Sequence, residues 1–262
     1  MSSSHSRWRL DGHKTLVTGG TKGIGRAIAE EFLALGAEVF IVARTGKDVF
    51  ELINAWQAKG LKAEGLALDL TLAPSLEHLS TAVQNKWGKL DALVLNTGTN
   101  IRKATTEYSD ADIEKIFQTN LFSAFELARL FKPLLSGSPN PSLTFIGSVA
   151  GERVVKTGAP YAMTKSALAQ LSRYLSVEWS KDKIRVNTLQ PWYIQTPLAE
   201  AVLQNPIYLS EVLARTPLGR IGTPEEVSAA AAFLAMPAAS YITGEVISID
   251  GGFMKYGFSF SG

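Results

Sequence analysis

Residues 14–25 read KTLVTGGTKGIG, an apolar β-branched run that breaks into four glycines and passes directly into apolar residues at helical spacing. A strand that turns into a helix over glycines opens a β-α unit, and the pattern repeats along the chain. KTLVTG, AEVFIVA, KAEGLALD, LDALVLN, SLTFIGS, IRVNTLQ and EVISIDG are strand candidates. Helical patterns fall between them near 23–35, 46–59, 72–87, 110–132, 161–180 and 223–235. Alternation of this kind predicts an α/β fold with a parallel sheet and crossover helices. Strands that are apolar almost throughout suit a sheet covered on both faces, so the expectation is a doubly wound, seven-stranded parallel sheet.

The 262 residues are 46% hydrophobic, enough for a large core, and show no internal repeat or low-complexity linker. One domain is expected over 10–262, preceded by a flexible N-terminal arm at 1–9. Lys and Arg number 26 against 24 Asp and Glu, a balance that argues against a nucleic-acid partner. Cysteine is absent and the three histidines, His5, His13 and His78, are scattered, so neither a metal site nor a Ser-His-Asp triad is expected. The start is polar and the most apolar late segment is interrupted by Pro237, so neither a secretory leader nor a membrane partner is expected, and the location expected is cytoplasmic. Residues 191–224 contain five prolines and read as one long irregular stretch, of the kind that serves a site or is disordered.

Glycines tolerate positive φ and allow close backbone approach, and a helix beginning at the turn offers free N–H groups to an anion. Alone, such a turn is equally an ordinary strand-to-helix connection. After the first strand of a Rossmann-type sheet it is where a dinucleotide binds, which makes Gly19, Thr21, Lys22, Gly23, Ile24 and Gly25 candidate cofactor contacts. The second strand ends VFIVARTGK, with Ala43 and Arg44 where an acid would accept from a ribose 2′-hydroxyl. Arg44 with Lys22 favours a 2′-phosphate and hence NADP(H), although each cation alone is also an ordinary surface charge. Asp69, followed by Leu70, either accepts from the adenine amino group or caps the next helix.

YAMTK at 161–165 places a phenol and an ammonium at i and i+4, on one face of a helix that Pro160 is suited to start. Ser148 closes the strand SLTFIGS, at the edge where the ligand crevice of such a sheet lies. Reducing a ketone needs a hydride on carbon and a proton on the developing alkoxide. A phenol with a pKa of about 10 donates well but is hard to recycle near neutrality, and a nearby ammonium stabilises its phenolate. The Ser148 hydroxyl can hydrogen-bond the substrate oxygen. An isolated YxxxK is usually a surface pair; Ser148 and the glycine turn make this one a candidate site.

From about Trp8 to Gly257 the chain resembles the short-chain dehydrogenase/reductase family of the single-domain type. The residues that carry the resemblance are TGGTKGIG, Asp69-Leu70, Asn120, Ser148, Tyr161-Met163-Thr164-Lys165, IRVN at 184–187 and YITGEVISIDGG at 241–252. RWRLDGHKTLVTGG, SKDKIRVN and FLAMPAASYITG are similar to the tropinone reductase-like branch. The resemblance implies that Tyr161 is the acid in reduction and the base in oxidation, that Lys165 also holds the nicotinamide ribose, and that Asn120 positions a water in a proton relay. It implies cofactor contacts at Asn96 and Gly98, and at Pro191, Ile194 and Thr196, with Thr196 and the backbone at 194 on the nicotinamide carboxamide. It implies a homo-oligomer, a tetramer or possible dimer, built through the helices holding Asn120 and Tyr161 and the last helix and strand.

Two departures stand out. LNTG at 95–98 replaces the family's NNAG, so Leu95 either packs in the core or disturbs the site, and Thr97 adds a methyl and a hydroxyl. PWYIQT at 191–196 puts Trp192 where Pro-Gly is frequent; it packs, forms an aromatic wall with Tyr193 over the substrate, or obstructs the cofactor. Ser148, Tyr161, Trp192 and Tyr193 are the candidate substrate contacts, with 99–102 and 149–158 as further pocket segments. The reading is an NADPH-dependent carbonyl reductase or alcohol dehydrogenase acting on a small-molecule ketone or secondary alcohol. A 3-oxoacyl thioester reductase is the alternative, for which Arg102, Lys103 and Arg129 are candidate docking cations. A non-catalytic NADP-binding sensor or scaffold is the alternative of another class.

Overall fold

In the computed structural model, which describes residues 6–257, seven strands form one sheet. They are β1 (Lys14–Thr18), β2 (Glu38–Ala43), β3 (Ala63–Ala67), β4 (Ala92–Leu95), β5 (Ser142–Ile146), β6 (Arg185–Pro191) and β7 (Val246–Ile249). Their order is β3-β2-β1-β4-β5-β6-β7 and each neighbouring pair is parallel. The helices are α1 (Gly23–Ala34), α2 (Gly46–Gln57), α3 (Ala73–Trp87), α4 (Asp110–Phe117), α5 (Ser123–Ser136), α6 (Ala159–Glu178), α7 (Pro197–Leu203), α8 (Pro206–Ala214) and α9 (Pro224–Ala235).

The unbroken apolarity of the strands has a direct cause: successive side chains enter different cores. Val17, Val39, Ile41 and Val94 pack with Ile28 and Phe32 of α1, Trp56 of α2 and Val227 of α9. Leu16, Phe40, Val42, Leu93 and Leu95 pack on the other face with Leu79 of α3, Phe131 of α5 and Leu168 of α6. Leu95 is therefore a core residue. Because β1 lies between β2 and β4, the chain leaves β1 toward one edge and later returns on its other side. The crevice at this switch point, beyond the carboxyl ends of the strands, is where such sheets bind ligands.

Two segments differ from the sequence expectation. The helix expected over 110–132 is α4 and α5 joined by one π-helical turn, Gln118–Phe122. The stretch expected to be irregular over 191–224 instead holds α7 and α8. Three of its five prolines, Pro197, Pro206 and Pro224, start helices rather than break them, because a missing N–H costs nothing in a first turn. Pro197 follows Thr196, whose side chain accepts from Ala199 N, and Pro206 follows Asn205, whose Oδ1 accepts from Ile207 N at 3.0 Å and Tyr208 N at 3.1 Å. Of the arm expected at 1–9, residues 1–5 lie outside the described residues, while Ser6–Trp8 form a 3-10 turn with Trp8 stacked on Phe233 at 5.8 Å. Among the described residues no helix is long and apolar enough to cross a membrane.

Candidate active site

Two adjoining clefts open at the carboxyl edge of the sheet. The first begins at the glycine turn, where Gly19 (φ +65°) and Gly23 (φ +53°) take conformations that disfavour a side chain. Gly25 is buried beneath the turn, and a Cβ there would collide with the Gly19 carbonyl and the Asn96 amide. The turn is pressed against the end of β4: Asn96 Nδ2 donates to the Thr18 carbonyl at 3.0 Å and to the Gly19 carbonyl at 3.3 Å. Thr18 returns the link, its hydroxyl accepting from Asn96 N at 2.9 Å and Thr97 N at 3.0 Å. Sequence reasoning did not single out Thr18, since a threonine at a strand end is unremarkable until its partner 78 positions away is known.

Gly19, Thr21, Lys22, Gly23, Ile24, Arg44, Asp69, Leu70, Asn96 and Gly98 all line this groove, with Thr97 beside them. Lys22 is ion-paired with Asp48 at 2.7 Å, and Asp48, in the first turn of α2, went unnoticed in the sequence. Arg44 is exposed at the rim. Asp69 accepts from Thr71 N at 3.0 Å and Thr71 Oγ1 at 2.7 Å, bonds that hold its carboxyl below the usual range with a smaller pull from Arg44. It closes the turn before α3; the N-cap of α3 itself is Leu72.

The second cleft, of about 150 Å³, is lined by Ser148, Tyr161, Lys165, Pro191, Trp192, Tyr193, Ile194 and Thr196. Ser148 follows β5 in an extended conformation, its Oγ accepting from Ala150 N at 3.2 Å. Pro160 lies in the first turn of α6, which carries Tyr161 and Lys165 one turn apart. The Lys165 ammonium donates to the Ile146 carbonyl at 2.8 Å and lies 5.5 Å from the centre of the Tyr161 ring. Burial brings Lys165 down to about 8. Burial pushes the Tyr161 phenol up, while the nearby Ser148 hydroxyl and the Arg102 charge pull it back.

Asn120 does not line either cleft. It is fully buried in the π-helical turn, where Oδ1 accepts from Thr99 N at 2.7 Å and Nδ2 donates to the Thr99 carbonyl at 2.9 Å and Thr164 Oγ1 at 3.3 Å. It thus clamps the loop after β4 to α6 from behind the wall. A methyl group on Gly98 would stand 3.6 Å from both Asn120 Oδ1 and Lys165 Nζ, so the asparagine and the ammonium flank one spot. π-helical turns recur at functional sites because they re-aim a side chain out of the ordinary helical register.

Trp192 is fixed away from the glycine-turn groove, which it does not line. Its ring stacks on Phe253 at 3.8 Å with 7° between planes, and Nε1 donates to Thr216 Oγ1 at 3.1 Å. Tyr193 meets it edge-on at 4.6 Å and shares a hydrogen bond with the Tyr208 hydroxyl of α8. The pair both packs and walls the second cleft. Thr196 leans over Gly23, and Ile24, Asn96, Gly98, Thr196 and Leu198 line both clefts, which makes them one continuous site.

A family model described as enoyl-(acyl carrier protein) reductase matches residues 19–254. A tropinone reductase homolog of Arabidopsis thaliana is 47% identical over 256 residues, 97% of each chain. Among solved structures, a gluconate 5-dehydrogenase from Burkholderia cenocepacia in complex with NADP and tartrate superposes with a TM-score of 0.92 at 28% identity, covering 97% of this chain and all of that one. The RhlG/NADP active-site complex of Pseudomonas aeruginosa gives 0.89 at 36% identity, over 95% of this chain and 99% of that one.

Proposed function

The chain belongs to the short-chain dehydrogenase/reductase family, and we propose that it is an NADP(H)-dependent carbonyl reductase and alcohol dehydrogenase of small ketones and secondary alcohols. The observation that carries the reading is the continuity of the two clefts: a dinucleotide lying on the glycine turn would reach the phenol of Tyr161. The residues fit the cofactor. Gly19 and Gly23 give the turn its positive-φ backbone, Gly25 lets it pack closely on Asn96, and Lys22 and Arg44 line the same groove, where they would face a 2′-phosphate. NADP complexes among the similar structures support the same choice.

The bound nicotinamide would supply or accept the hydride. In reduction, the Tyr161 phenol gives its proton to the carbonyl oxygen while the Ser148 hydroxyl donates to the same atom. The Lys165 ammonium stabilises the phenolate left behind and, with Pro191, Ile194 and Thr196, would hold the nicotinamide end. Asn120 keeps the loop after β4 and α6 in register beside that ammonium. In oxidation the proton runs the other way. General acid–base catalysis contributes about 10²- to 10⁴-fold, so Tyr161→Phe is expected to lose ketone reduction by a factor in that range while retaining NADPH binding. Retained turnover in Tyr161→Phe would sink the catalytic reading and favour the sensor.

The alternatives fare less well on particular residues. A carrier-borne thioester wants a basic docking patch, but of its three candidate cations Lys103 is paired with Asp112 at 2.6 Å and Arg129 with Glu126 at 2.6 Å, which leaves Arg102 alone. The sensor reading rested on Trp192 and Leu95; Leu95 packs in the core, and Trp192, stacked on Phe253, lines the second cleft without entering the glycine-turn groove. The cytoplasmic location remains part of the proposal. So does a homotetramer or dimer, for which exposed Phe122 and Phe125 around α5 and Met163, Tyr174 and Val177 on α6 offer unpartnered apolar surface.

A further inference from the structure

Two cations, Lys165 and Arg102, line the catalytic cleft, and none of its described lining residues is a carboxylate. Lys165 is at the chemical end, bonded to the Ile146 carbonyl. Arg102 comes from the loop after β4 and lies at the mouth, exposed, where its charge reaches the phenols of both Tyr161 and Tyr193. Of the acids near it in the chain, Asp112 pairs with Lys103, Glu107 accepts the Ala104 N–H at 3.2 Å, and Asp110 forms no ion pair with it. Among the described residues Arg102 enters no ion pair. Asn100, on the same loop, also lines the cleft; among the described residues its buried Oδ1 has no hydrogen-bond partner, and as an acceptor it suits a substrate hydroxyl rather than the carboxylate. A guanidinium in a concave wall with no acid beside it is one half of a carboxylate clamp.

We propose that the substrate is an oxo acid, a small ketone whose carbonyl rests on Ser148 and Tyr161 and whose carboxylate is held by Arg102 beside the Tyr193 hydroxyl. This rests on the reductase reading above and narrows it. The carbonyl carbon takes the hydride and its oxygen the Tyr161 proton, giving a secondary alcohol as NADPH becomes NADP⁺; the carboxylate passes through unchanged. A protonated amino ketone of the same size would meet Arg102 with no acid to receive it and is disfavoured. Trp192 and Tyr193, pinned by Phe253, Thr216 and Tyr208, supply the flat apolar wall for the carbon skeleton between the two polar ends.

The test is a charge series on one ring: 4-oxocyclohexanecarboxylate, its methyl ester and N-methyl-4-piperidone, each reduced with NADPH by wild type and by Arg102→Ala and Arg102→Glu. Charge-assisted hydrogen bonds set the expected ratio of acid to ester in kcat/KM at about 10- to 100-fold. That ratio should fall to about one in Arg102→Ala and invert toward the amine in Arg102→Glu. Any influence of Arg102 on Tyr161 is common to all three ketones and cancels in the ratio. Equal kcat/KM for acid and ester in an active wild type overturns the proposal and leaves the reductase reading intact. If wild type reduces none of the three, binding of cyclohexanecarboxylate to the NADP⁺ complex, read by calorimetry, decides: binding that Arg102→Ala abolishes keeps the anion subsite while the reductase reading fails, and no binding overturns the subsite as well.

Discussion

Lys165 shows how a single side chain is set by its burial. The folded chain gives up its proton at about 8, whereas an unfolded lysine holds it to about 10.4. Below about pH 8 the cost of burying the charge is fully present. Between the two values the unfolded state binds more protons, so stability rises with pH across that window. Lys165→Met lacks this slope. The difference in unfolding free energy between wild type and variant should therefore move toward wild type by on the order of 2 kcal/mol between pH 7 and 10, measured by urea denaturation without cofactor. A difference that stays flat would show that the ammonium is solvated in the folded chain. On the proposed reading, a bound cofactor would give this buried charge the ribose and the Tyr161 phenolate as partners.

At the scale of elements, the end of β1 is held to the end of β4 by the Thr18 hydroxyl together with the Asn96 amide. Thr18 is buried and accepts two backbone N–H groups, and the glycine turn sits directly on this joint. Thr18→Val preserves the shape and leaves both donors unpaired, at a cost of about 1–3 kcal/mol. The midpoint of thermal unfolding should fall and NADPH binding should weaken in the same variant, because the turn loses its support. Unchanged stability would mean that the two strand ends are held by the sheet alone. The second element of consequence is the segment after β6. Thr196 and Asn205 cap α7 and α8 ahead of their prolines, and α8 delivers Tyr208 to Tyr193, so what reads as a proline-rich loop is a built wall of the cleft.

For the whole molecule, the sheet orders the chemistry, and the proposed assembly would use the outer helices. Tyr174 and Val177 are 65% and 76% exposed on α6, whose opposite face packs in the core. An apolar helix face of this kind is covered in a stable oligomer. Tyr174→Glu combined with Val177→Glu should shift the protein to smaller species by light scattering, and a monomeric wild type would remove the assembly from the proposal. The sequence by itself determined the strand–helix alternation, the glycine turn and the residue types of Ser148, Tyr161 and Lys165, because periodicity, φ freedom and i,i+4 spacing are local properties. Only the tertiary structure decided that Leu95 is core, that Trp192 turns onto Phe253 and Thr216, that Asn96 and Thr18 lock the turn, and that Arg102 stands beside Tyr193 at the mouth of the cleft with no ion pair among the described residues. The direction of a side chain depends on what distant elements pack against it, and no local pattern records those neighbours.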